Sequence, residues 1–337
     1  MSGEVRALWQ NTVHWEPKSV SVIIPTYNRA QSLKTTLDSL LNQDYPSDRL
    51  EIIVVDNCST DGTKEVVQVC QAQAKLPVKY VYEDRPGAHF ARNTGARHAS
   101  GQLLYFTDDD MIADPGLLAN LVPVFDVFQD VGSATGSILP KWETEPPRWL
   151  AQHCPGSIMG LQMRPETVVI SEDDVGVYSG HMGVLRDVFF RSGGFRPDIV
   201  GDETLGNNEV GLNMRVKELG YKFAYVRQAK TYHVIPASRL TQTYLNGRMA
   251  HQGSFECYGW YKAQEPGSFR LALGMAEQLV GMVQAGSQSV LRMLLIRDTW
   301  RISHAKIHYR IGRMRCCWGL LRDPSLRQLT LKDDWLT

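Results

Sequence analysis

Among the six cysteines, Cys58, Cys70, Cys154, Cys257, Cys316 and Cys317, there is no C-x-x-C pair and no zinc spacing. Scattered thiols of this kind are expected to be reduced, in a cytoplasmic protein. No run of about 18 apolar residues exists, so no spanning helix is predicted. Met1 to Gln10 lacks the apolar centre of a signal peptide. Formal net charge is zero, which argues against a bulk nucleic-acid binder. Internal repeats and low-complexity tracts are missing. No G-x-G-x-x-G follows the first apolar strand, and G-x-x-x-x-G-K-[ST] is absent, so there is neither a dinucleotide fingerprint nor an NTPase phosphate loop.

What is present is enough for a sizeable core. The chain has 337 residues, 43% apolar and 21% charged, room for one large domain with an appendage or for two domains. The charge is unevenly spread. Arg297 to Arg322 holds seven Lys/Arg and one acid, Asp298, leaving a mildly acidic body with a basic tail.

Apolar runs at Val20–Pro25, Leu50–Val55, Val78–Tyr82 and Leu103–Phe106 alternate with helical patterns at Gln31–Asn42, through Gln73, and at Phe90–Ala99. Four such units predict an α/β fold with right-handed crossovers and a mostly parallel sheet. Each strand ends in polar residues on one edge, and an open α/β sheet places its ligand there. The fourth ends most sharply, with Asp108, Asp109 and Asp110. Three adjacent carboxylates do not all ionise cheaply without a cation. A metal held by oxygens is one reading; an acidic turn capping the next helix is the other.

Further on, Gly116–Phe128 reads as a helix, Gly132–Ile138 as a short strand, and 150–176 as irregular. A helix starts at Asn207-Asn208-Glu209, and Lys222–Val226 is a strand followed by Thr231-Tyr232-His233. From about 240 the chain turns helical. Met293, Ile296, Trp300, Ile307, Ile311, Met314 and Trp318 fall near one stripe.

Val22-Ile-Ile-Pro-Thr-Tyr-Asn-Arg29, Ile53–Thr63 with Asp56-Asn57, Ala91-Arg-Asn-Thr-Gly95 and Phe106-Thr-Asp-Asp-Asp110 together resemble the family 2 glycosyltransferases of the GT-A fold, over roughly 20 to 235. The resemblance implies a Rossmann-like nucleotide-binding catalytic domain over 19–239, after a leader at 1–18 and before a helical region at 240–337. It implies inverting transfer of a sugar from a nucleotide-sugar, a UDP-sugar favoured, to a hydroxyl acceptor that is a saccharide or lipid-linked, in polysaccharide or glycolipid synthesis. Pro25, Thr26, Tyr27, Arg29, Asp56, Arg92, Asn93, Asp108 and Asp109 are then expected at the donor. Asp110, with Asp108 and His233, is expected at a Mg2+ or Mn2+ ion.

The family pattern carries Glu-Asp where this chain has Asn208-Glu209. Glu209 is the expected general base, with Asp202 the alternative. Trp142, Trp149, Tyr178 and Asn208 are acceptor candidates, and Arg248 and Gln252 candidates for closing over the diphosphate. A nucleotidyltransferase and a non-catalytic nucleotide-sugar-binding subunit are the alternative functions. The segment 268–322 suits either an interfacial helix on the inner face of a plasma membrane or packing on the body or a second subunit.

Overall fold

The computed structural model describes residues 17–196, 199–200, 203–204, 208–295, 297–332 and 336. The elements run β1 (Val20–Thr26), α1 (Ala30–Leu41), β2 (Leu50–Asp56), α2 (Thr63–Gln73), β3 (Val78–Tyr82), α3 (Ala88–His98), β4 (Leu103–Thr107) and β5 (Met111–Ala113). Then follow α4 (Leu117–Leu121), α5 (Val124–Val127), β6 (Val131–Trp142), α6 (Arg148–His153), β7 (Val168–Ser171), β8 (His181–Leu185) and α7 (Arg186–Arg191). The short β9 (Ile199–Val200) and β10 (Glu203–Thr204) precede α8 (Asn208–Glu218) and β11 (Lys222–Ile235). Four helices end the chain: α9 (Gln242–Gln264), α10 (Ser268–Leu294), α11 (Trp300–Arg322) and α12 (Pro324–Leu331).

The main sheet has the order β3-β2-β1-β4-β8-β6-β11-β5, with β7 also on β11. β1 to β4 pair in parallel, as their continuous apolar runs predict. Every residue of β1, β2 and β4 is buried. β8 enters antiparallel to both β4 and β6, and β5 and β7 pair antiparallel with β11. β6 and β11 are parallel and run well past the short strands expected, to Trp142 and Ile235. This long ladder carries His233 beside Met111, just after the acid triplet.

Register lines up the functional edge. Thr26 stands opposite Asp56, and Asp56 opposite Tyr82. One apolar cluster fills the space between the sheet and α1, α2 and α4; a second lies under α3, α7 and α8. Gly95 lets α3 approach β1, since a Cβ there would sit 2.4 Å from the Ile23 Cγ2. The single helix expected over Gly116–Phe128 is two short ones, parted near Pro123, which cannot donate to the helical ladder.

The helical region is a layer. α11 lies between α9 and α10 and contacts both along their lengths. Gly253 and Gly312 bring α9 and α11 together; a Cβ on Gly312 would fall 1.9 Å from the Ala250 carbonyl oxygen. The apolar stripe expected to continue from Met293 to Trp318 is interrupted between α10 and α11, and most large exposed apolar side chains of this region lie on α10. Ile296 lies outside the described residues. No described helix is long and apolar enough to cross a membrane.

Candidate active site

The edge of the parallel strands gathers charged groups in pairs, and each aspartate of the triplet has its own guanidinium. Arg92 Nη2 donates to Asp108 Oδ1 at 2.6 Å. Arg29 Nη1 donates to Asp109 Oδ1 at 2.9 Å and to Asp110 Oδ2 at 3.0 Å. Arg239 Nη2 donates to Asp110 Oδ2 at 3.1 Å. Carboxylates crowded at a buried strand end need such partners, because unpaired buried charge is costly. The sequence reading assigns Arg239 no role at the site; its place beside Asp110 comes from the tertiary structure.

The three acids have different surroundings. Asp109 points inward: Thr26 Oγ1 donates to its Oδ2 at 2.8 Å, and Ser32 and Thr36 donate to its backbone carbonyl. Burial pushes its carboxyl up to about 6 against the pull of Arg29 and Thr26. Burial also acts on Asp110, but His233 when its ring is protonated, with Arg239 and Arg29, outweighs it and holds that carboxyl at about 2. Asp108 is the most open of the three, with its side chain 37% exposed.

His233 Nε2 lies 3.7 Å from Asp110 Oδ2. Its Nδ1 is 2.9 Å from the Met159 carbonyl oxygen, which can only accept, so Nδ1 carries the proton. Nε2 is then the acceptor and takes a hydrogen bond from Arg239 Nη1 at 2.9 Å. A backbone carbonyl that fixes the remote ring N–H is the usual support of a metal-binding histidine. Among the described residues no three His, Cys, Asp or Glu side chains converge on one point. Asp110 and His233 are the groups that could hold a hard cation, with phosphate oxygens and water as its other ligands, while Asp108, expected with them, bonds Arg92.

Where the sequence reading expects the nucleotide, Asp56 is buried and fixed. Ser59 N donates to its Oδ1 at 2.9 Å, and the Tyr80 hydroxyl donates to its Oδ2 at 2.7 Å. Pro25 and Thr26 close β1 beside it, and Tyr27 is 58% exposed just beyond. Asn93 has a different task from the donor contact expected of it. Its amide bonds both the N–H and the carbonyl of Phe195, at 2.9 and 2.8 Å, tying α3 to the Gly193-Gly194-Phe195 turn.

Glu209 stands in the first turn of α8. Ser179 Oγ lies 3.5 Å from its Oε2. Burial raises its carboxyl above the ordinary range; Arg92 opposes the rise, while Asp108 and Asp174 add to it. Glu209 thus shares one electrostatic neighbourhood with the Arg92–Asp108 pair. Asp202 lies outside the described residues, as does the side chain of Asn208.

Beside this site is a cleft of about 350 Å³, lined by Gly156, Leu161, Gln162, Arg164, Val175 and Tyr178 among others. Gln162 is 8% exposed, and its Oε1 has no partner among the described residues. Tyr178 lines this cleft. Trp149 does not, and its expected role as a sugar platform is corrected: it is buried in the apolar cluster beneath α9, with the Arg301 guanidinium 5.2 Å from its ring centroid. Trp142 packs partly buried on the same cluster. Arg248 Nε reaches the Ile158 carbonyl at 3.4 Å, on the rim of the cleft. Gln252 instead bonds Glu256 along α9 at 3.0 Å.

The parallel strand edge with its acid triplet, and the β6–β11 ladder that returns His233 to it, define the GT-A fold. The mannosyltransferase PcManGT from Pyrobaculum calidifontis, solved in complex with GDP-Man and Mn2+, superposes with a TM-score of 0.59 at 20% identity, covering 94% of this chain and 93% of that one. Residues 21–193, just over half of the chain, match the family model "Glycosyl transferase family 2", and the chain belongs to that family. Glycosyltransferase AglE of Haloferax volcanii is 42% identical over 92 residues, which are 27% of this chain and 30% of that protein. The glucosyl-dolichyl phosphate glucuronosyltransferase of the same organism is 25% identical over 248 residues, 69% of this chain and 75% of that one. The chain spans about a third or less of the length of the first curated relatives it matches.

Proposed function

We propose that this chain performs inverting, metal-dependent transfer of a sugar from a nucleotide-sugar to an acceptor hydroxyl, with Glu209 as the base. The observation that carries the reading is the placement of Glu209 beside Ser179, with its carboxyl raised, next to the Arg92–Asp108 pair at the strand edge. A carboxylate of raised pKa is a better proton acceptor toward a hydroxyl than an ordinary one.

Asp56 and the exposed Tyr27 hold the nucleoside end of the donor. Arg29, Arg92 and Arg239 are placed to meet diphosphate oxygens. Asp110 and His233 would hold a Mg2+ or Mn2+ ion, whose chemistry is to neutralise charge on the departing nucleoside diphosphate. Two structural neighbours were solved with Mn2+, which supports the choice of a divalent cation. The acceptor lies in the Gln162–Tyr178 cleft, where the unpartnered Gln162 Oε1 accepts from a hydroxyl. Glu209 takes the acceptor proton, and the oxygen attacks the anomeric carbon opposite the leaving group. One displacement inverts the centre and needs no protein nucleophile.

A UDP-sugar is the favoured donor; a saccharide or lipid-linked acceptor and a role in polysaccharide or glycolipid synthesis complete the proposal. Six unpaired thiols support a reducing, cytoplasmic setting. The test is a panel of nucleotide-sugars with Mn2+, read as nucleoside diphosphate release. A donor that turns over in the wild type and is inert with Glu209→Gln supports the reading. No release from any donor, with or without candidate acceptors, would sink it.

A further inference from the structure

Helix α10 buries few of its large apolar side chains. Leu271 and Met275 pack into the core cluster near its start, and from there on its buried residues are Gln278, Gly281, Ala285 and Ser289. Arg310 Nη1 donates to Gln278 Oε1 at 2.9 Å, and its Nε sits 2.7 Å from where a Cβ on Gly281 would be. Arg292 Nη1 donates to Ser303 Oγ at 2.7 Å in the same seam. The opposite face is apolar. Phe269, Leu273, Val280, Val283, Val290 and Leu294, spaced three, four or seven apart, form one line along the helix. They are 84, 50, 60, 71, 54 and 72% exposed. Between Arg270 and Arg292 the one charged residue is Glu277. A helix of a water-soluble domain turns its apolar stripe to the core. Twenty-seven residues with the stripe turned outward make an apolar ridge roughly 40 Å long, far beyond the scattered exposed side chains of an ordinary surface.

The charge around the ridge says what covers it. Residues 268–322 hold nine Lys/Arg and two acids, within a chain whose remainder has an excess of acids. Arg270, Arg297, Lys306, Arg315 and Arg322 are exposed, and Arg322 stands over the half-exposed Trp318 ring at 5.1 Å. Two copies joined through this ridge in a symmetric pair would bring like charges together. An anionic lipid surface accepts both features, apolar side chains into the acyl boundary and arginines among the head groups.

We propose that α10 is a membrane-docking helix that lies in the plane of an anionic bilayer, its Phe269–Leu294 ridge embedded and the exposed Arg270, Arg297, Lys306, Arg315 and Arg322 at the head groups. The inference does not rest on the transfer chemistry, because binding is measured without donor or acceptor.

The test is sedimentation of the full chain with vesicles of phosphatidylcholine alone or with about a third phosphatidylglycerol. Binding to the anionic vesicles is expected, with at least tenfold weaker binding to the neutral ones and in Val283→Asp. That variant changes an exposed side chain, so its melting temperature should match the wild type. A Phe269→Trp variant tests the ridge without adding charge: brominated acyl chains should quench its added fluorescence, and leave unquenched a Val69→Trp control on α2. Three outcomes overturn the inference: equal or absent binding to both vesicle types, an unquenched Trp at 269, or a lipid-free dimer that Val283→Asp splits.

Discussion

His233 Nε2 faces Asp110 Oδ2 across 3.7 Å, and one guanidinium, that of Arg239, bonds both. The pair joins the end of the acid triplet to a strand more than a hundred residues later. If these two groups are the protein's donors to a divalent cation, His233→Ala removes half of them. Mn2+ affinity measured by electron paramagnetic resonance, with nucleoside diphosphate present, is expected to fall by about 10- to 100-fold. Unchanged affinity would place the ion elsewhere.

Glu209→Gln keeps the shape of the side chain and removes its basicity. Turnover is expected to fall on the order of 10²- to 10⁴-fold, while donor affinity by calorimetry stays close to wild type. Because burial raises this carboxyl, the wild-type rate should climb with pH through an apparent pKa above the ordinary glutamate value. Asp202→Asn is the companion variant. If it abolishes turnover and Glu209→Gln does not, the base is Asp202.

The acceptor cleft and the buried tryptophan separate by experiment. Tyr178→Ala and Gln162→Leu should raise acceptor KM several-fold with little change in donor KM. Trp149→Ala should act on stability instead, costing about 3 kcal/mol as large core truncations do, read as a lower denaturation midpoint. An acceptor effect confined to Trp149 would reverse the assignment.

His181 gives a pH dependence that belongs to the fold. It is fully buried in β8 between the Tyr105 hydroxyl, 2.9 Å from Nδ1, and the Ala229 carbonyl, 2.9 Å from Nε2. The carbonyl only accepts, so Nε2 holds the proton and the ring is neutral. Burial pushes its pKa down to about 4, from an ordinary 6.5. The unfolded chain therefore binds a proton that the native state refuses. Stability is full above about pH 6.5 and falls as pH drops toward 4, by up to about 3 kcal/mol. Urea midpoints at pH 7 and 4.5 measure this fall, and His181→Gln should flatten it.

Much of the architecture is legible because its signals are local. Val22–Ile24 and Ile53–Val55 read as buried strands from composition alone, and Leu33, Leu37 and Leu40 mark the inner face of α1. Asp108–Asp110 stand out because three adjacent carboxylates have few cheap explanations. The less legible parts depend on distant partners. Asn93 reads as a polar residue near a pocket, yet Phe195 consumes its amide from a hundred residues away. Trp149 reads equally as a sugar platform or a core aromatic, and only the packing of α9 and Arg301 over it decides for the core.

By itself the sequence determined the strand–helix alternation, the polar strand ends and the acid run, since hydrophobic period and turn chemistry act over a few residues. The tertiary structure alone decided how the acids divide: Asp109 inward to Thr26, Asp110 to His233, Asp108 to Arg92. It decided also that Arg239 belongs among them. And it decided that α10, beyond Leu271 and Met275, turns small and polar residues inward and most of its large apolar ones outward. Helical spacing fixes which residues share a face, but only packing says which face meets a neighbour.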